Sequence, residues 1–138
     1  MMTQSWRNIV VHYDAYKGEH SSIRELQHLA RRICASPLER GLFAWTSMFD
    51  LCIVQIEVKY PFDGPYLRLS PVSEREIEFR YIDTYEKTRQ WQRTVAAEDV
   101  WSRLIRFLEQ LMSFPSDVLE RAKDCSAQSA TPQPPPIR

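Results

Sequence analysis

The chain has 138 residues, and its eighteen Lys and Arg balance its eighteen Asp and Glu. With 43% hydrophobic and 26% charged residues it reads as one soluble globular domain, and the charge balance argues against nucleic acid as a partner. No apolar run reaches the ~18–20 residues that cross a bilayer. The first residues, "MMTQSWRNIVVHYD", lack the basic stretch, long apolar run and cleavage site of a secretory leader. Three cysteines, Cys34, Cys52 and Cys125, are an odd number and form no disulfide framework, which points to a cytoplasmic protein.

In residues 1–20, Trp6, Ile9, Val10, Tyr13 and Tyr16 recur at helical spacing ahead of Gly18. "IVVHY" also suits a strand, but the spacing favours a helix. Residues 22–35 predict a second helix. Ser22 and Glu25 form a capping box, and Ile23, Leu26, Leu29, Ala30 and Ile33 make its apolar stripe. Pro37 and Gly41 end it.

Residues 42–95 read as five strands: "LFAWTSM", "LCIVQIEVKY", "YLRLS", "EIEFRYIDT" and "RQWQRTV". The links between them, such as "PFDGP" and "YEKT", are short enough to make neighbours antiparallel. Residues 97–114 predict a strong helix on Val100, Trp101, Leu104, Ile105, Leu108, Leu111 and Met112. "SDVLERAK" suggests a short last helix capped by Ser116. Residues 124–138 are polar and proline-rich and predict a disordered tail. Its "QPPPIR" has Gln133 where a PxxPxR ligand needs proline.

The expected architecture is α+β: one domain over residues 1–123, an antiparallel meander of about five strands covered on one face by the helices 22–35 and 97–114. Keeping apolar residues on one face predicts registers. Val58 falls opposite Leu67, Ile56 opposite Leu69, Leu67 opposite Phe79, Leu69 opposite Ile77, Tyr81 near Trp91 and Ile77 near Val95.

The outer face then carries two rows. Glu57, Arg68 and Glu78 alternate in sign, each pair worth ~0.2–1 kcal/mol, which describes a water-facing sheet. Lys59, Tyr66, Arg80 and Gln92 form the second row. Lys59, Arg80 and neighbouring Arg68 gather three cations near Tyr66, a set able to receive a carboxylate, a phosphate or an acidic partner. Trp45, Met48 and Phe49 form an apolar hairpin whose strand would lie at a sheet edge, open to another chain or to a second copy as a homodimer.

No catalytic or cofactor pattern emerges. His12, His20 and His28 are not at metal-ligand spacing, and Cys52 alternates with apolar neighbours like a core residue. Three glycines, Gly18, Gly41 and Gly64, cannot make a phosphate loop, and no Gly-x-Ser-x-Gly elbow occurs. No cofactor and no metal are therefore expected. The expectation is a non-enzymatic domain that binds another protein, of adaptor, chaperone or immunity type. The alternative is a small-ligand or anion-binding domain, with enzymatic activity still open, using the cationic cluster. A third reading is single-stranded RNA on outward aromatics.

Overall fold

Five strands lie side by side in chain order and run antiparallel throughout: β1 (Phe43–Ser47), β2 (Asp50–Val54), β3 (Tyr66–Pro71), β4 (Glu76–Ile82) and β5 (Trp91–Ala96). The computed structural model describes residues 2–58, 64–110 and 121. Three helices accompany the sheet: α1 (Trp6–Asp14), α2 (Ser21–Cys34) and α3 (Val100–Gln110). The fold is α+β. Lys59, the centre of the "PFDGP" turn, residues 111–114, the segment after Ser116 and the 124–138 tail lie outside the described residues, Arg121 excepted.

One core unites the helices with one face of the sheet. It joins Trp6, Ile9 and Tyr13 of α1, Leu26, Leu29 and Ile33 of α2, and Leu104 and Leu108 of α3 to Leu51, Ile53, Leu67, Leu69, Ile77 and Phe79. Thus α1 joins the two covering helices expected. Ser5 caps α1, its Oγ accepting from the Asn8 N–H at 3.1 Å. The Asp14 carboxylate at its end accepts from Gln27 and Arg31 of α2, each at 2.7 Å. The Gln27 hydrogen bond and then the Arg31 charge hold its pKa below the usual range, against the opposing effect of desolvation.

The start of α2 differs from expectation. His20 occupies the cap position and makes no side-chain cap bond. Ser22 is instead buried within the first turn, where its Oγ donates to the Ser73 carbonyl at 2.7 Å. The Ser22 N–H and Ser21 Oγ both donate to the Glu74 carbonyl at 2.9 Å. Carbonyls of the β3–β4 turn thus satisfy part of the helix start, a tertiary substitute for the capping box.

The registers came out unevenly. Between β4 and β5, Ile77 pairs with Val95, Arg80 with Gln92 and Tyr81 with Trp91, as expected. Between β3 and β4 the ladder is displaced by two residues: Leu67 pairs with Tyr81 and Leu69 with Phe79. A two-residue shift preserves faces. The β2–β3 pairing is a true correction. Ile53 pairs with Leu67 and Leu51 with Leu69, where Val58 and Ile56 were expected. The shift is odd, so the strand phase inverts. Cys52, Val54 and Val58 turn away from the helices and cluster with Trp45 on the outer face, opposite Phe79, while Ile56 is 58% exposed.

The cause is visible in the packing. Leu51, Cys52, Ile53 and Val54 are all buried, because β2 is covered on both faces. Beyond Val54 the chain leaves the ladder. Val58 exchanges hydrogen bonds with Thr3, whose N–H donates to the Val58 carbonyl at 2.8 Å.

Candidate functional site

Alternation along β3 sends Tyr66, Arg68 and Ser70 to the outer face, and along β4 it sends Glu78, Arg80 and Ile82 there. The registers line up Trp45, Cys52, Arg68, Arg80 and Gln92 as one row across all five strands. The row runs from apolar to polar. Its centre sets two arginines directly opposite each other, an arrangement that is unfavourable without counter-charge.

The counter-charge is built in. Arg68 Nε donates to Asp50 Oδ2 at 2.7 Å, with both side chains about three-quarters buried. Burial alone would lower the Arg68 pKa, but the hydrogen bonds it donates to Asp50 and Tyr66 carry it above its ordinary value. Arg80 Nε lies 3.3 Å from Glu78 Oε1 and is close enough for an ion pair. Its N–H is not aligned for a hydrogen bond, and this buried atom has no hydrogen-bond partner among the described residues. The same is true of Ser70 Oγ, on the outer face two residues from Arg68.

The expected residues therefore divide. Arg68, Arg80 and Gln92 come together, and Tyr66 borders them with its ring 5.2 Å from that of Trp45. Arg68 pairs with Asp50 rather than with Glu57 or Glu78, and Glu78 serves Arg80. Sequence reasoning missed Asp50, which looked like a loop residue, and Ser70. Counting in twos from Arg68 would have found Ser70. Beside Arg80, but not Arg68, an open depression of about 420 Å³ is lined by Arg80, Tyr81, Ile82, Gln90, Trp91 and Gln92.

Cys52 adjoins the arginines but is not an activated thiol. Burial pushes its pKa up from 9.0 to about 11, and the opposing pull of Arg68 is smaller.

The 43–50 hairpin also divides. Trp45 is buried on the outer face. Phe49 folds under α1, with its ring near those of His12, Tyr13 and Tyr16, and its carbonyl accepts from the Tyr13 hydroxyl at 2.9 Å. Met48 alone stays out, 84% exposed with φ 56°, while a His12 ring nitrogen bonds its carbonyl. The β1 edge is partly occupied, since the Gln4 N–H donates to the Ala44 carbonyl at 2.7 Å.

Among the described residues, no three His, Cys, Asp or Glu side chains gather as metal ligands would, and no helix is long and apolar enough to cross a membrane. No protein-family model, curated protein or solved structure matches the chain.

Proposed function

We propose that this chain is a non-enzymatic domain that binds another protein through the outer face of its sheet. The observation behind this is the placement of Arg68 and Arg80, side by side and partly exposed, on the face turned away from all three helices. Arginine on a rigid strand loses little freedom on contact and suits interfaces. The hairpin edge is the weaker candidate, because Trp45 and Phe49 are used internally. A reducing, cytoplasmic setting belongs to the same proposal, supported by the free thiols of Cys34 and Cys52.

The test is affinity purification from the native host with wild type and Arg80→Glu side by side. Arg80 is the better position to change, since Arg68 also holds Asp50. A stoichiometric companion that wild type retains and the variant loses supports the reading. A companion held equally by both overturns it.

One observation favours a second reading. The depression next to Arg80 and Gln92, at about 420 Å³, falls in the size range of small-ligand sites, ~300–1,000 Å³. A small acid retained through purification, seen by native mass spectrometry, would support it. Single-stranded RNA has less to stand on, because Trp45 is buried and Tyr66 lies against it.

A further inference from the structure

We infer that Met48, at the tip of the β1–β2 hairpin, is an anchor that enters an apolar pocket of the partner protein. The inference rests on the protein-binding reading and adds a contact at the rim of the same surface.

The backbone at the tip suits a different residue. Ser47 pairs with Asp50, so Met48 and Phe49 form a two-residue turn. Met48 has φ 56° and is the one non-glycine residue with positive φ among the described residues, so the sign changes between the two turn positions. That is the pattern of a type II′ turn, whose first position favours glycine. A side chain there costs stability. Methionine returns little of that cost within the chain, because Met48 is 84% exposed.

The tip is nevertheless held firmly. A His12 ring nitrogen bonds the Met48 carbonyl, the Tyr13 hydroxyl donates to the Phe49 carbonyl at 2.9 Å, and the Phe49 ring lies 5.3 Å from that of Tyr16. Both hydrogen bonds reach main-chain oxygens that glycine at position 48 would leave in place. They fix the turn without requiring methionine.

A rigid base lowers the entropic cost of docking. An unbranched, polarizable thioether suits a pocket lined by apolar and aromatic groups. The tip also borders the face already proposed. Asp50 follows two residues on, within ~7 Å at Cα. Its carboxylate accepts from Arg68 on the outer face at 2.7 Å. One partner can cover both the tip and that face.

The test places the photo-reactive diazirine analogue of methionine at position 48 of the full chain. Cross-links formed in a lysate of the native host are mapped by mass spectrometry. The expected result is one companion, joined through a peptide rich in apolar or aromatic residues. That companion, once purified, should bind Met48→Leu about as well as wild type. It should bind Met48→Gly about tenfold or more weakly, the worth of one buried methionine. Met48→Gly should also melt about 2–5 °C above wild type, because the strain leaves with the side chain. A melting temperature at or below that of wild type, or wild-type affinity in Met48→Gly, overturns the inference. Cross-links confined to copies of this chain, or none at all, also overturn it. A companion weakened by Arg80→Glu but not by Met48→Gly overturns the anchor and leaves the sheet-face reading intact. One weakened by Met48→Gly but not by Arg80→Glu supports the anchor and overturns that reading.

Discussion

Arg68 and Arg80 are direct cross-strand partners, yet they are anchored to different carboxylates with different quality: Asp50 at 2.7 Å in line, Glu78 at 3.3 Å out of line. The two should therefore answer differently to mutation. Asp50→Asn removes the charge from a mostly buried, charge-assisted bond and should cost about 1–3 kcal/mol. Glu78→Gln acts on a pair whose arginine is 38% exposed and should cost under about 1 kcal/mol. Urea unfolding of both variants measures the difference.

The buried serine of α2 gives a second contrast. Ser22→Ala deletes the hydroxyl that reaches the Ser73 carbonyl and should destabilise the chain by about 1–2 kcal/mol. Glu25→Ala should stay within about 0.5 kcal/mol, since no capping box is present for it to complete. Equal losses at both positions would restore the box.

Strand phase can be read by truncation. Ile53→Ala opens a cavity against the helices and should cost about 2–5 kcal/mol, whereas exposed Ile56→Ala should be nearly neutral. The opposite phase, with Ile56 facing the helices and Ile53 turned outward, would reverse that order.

Alkaline pH should weaken the fold. Burial raises the pKa of Cys52 from 9.0 to about 11 and also raises that of Tyr13 above its ordinary 10.0. Below pH 9 both groups are neutral in the folded and unfolded chain alike. As pH climbs from 9 to 11 the unfolded chain releases its protons first, so stability falls, by about 2–3 kcal/mol from Cys52 alone. Tyr13→Phe should flatten part of the slope at higher pH, while losing the bond to the Phe49 carbonyl. Thermal melts across pH 8–11 follow this.

The same burial should protect Cys52 from iodoacetamide in the native chain at pH 8, with the more accessible Cys34 labelled first. Peptide mapping by mass spectrometry gives the order. Early labelling of Cys52 would mean that the outer cluster opens readily.

How far the sequence could be read depended on how many faces each strand buries. In β4, apolar Ile77, Phe79 and Tyr81 alternate with Glu78, Arg80 and Ile82, so its face and its pairing with β5 were legible. In β2, Leu51 to Val54 are apolar at every position, so period two carried no phase information there. The alternation in "VQIEV" then suggested a strand where the chain had already left the sheet. The candidate site inherited this asymmetry. Arg80 and Gln92 sit where expected, while Arg68's true counter-charge, Asp50, lies on the strand whose phase was misread. The Ser22 bond could not be foreseen, because its partner is 51 residues away and meets it only through tertiary packing.

The residues ahead of α1 act as a guard rail. Gln4 hands its main-chain proton to Ala44, closing part of a margin that would otherwise offer itself to any passing strand, while Thr3 ties the same segment to Val58. Trimming residues 2–5 would strip that guard and leave the first strand bare. A chain so shortened should self-associate into templated aggregates under conditions in which the intact protein stays dispersed.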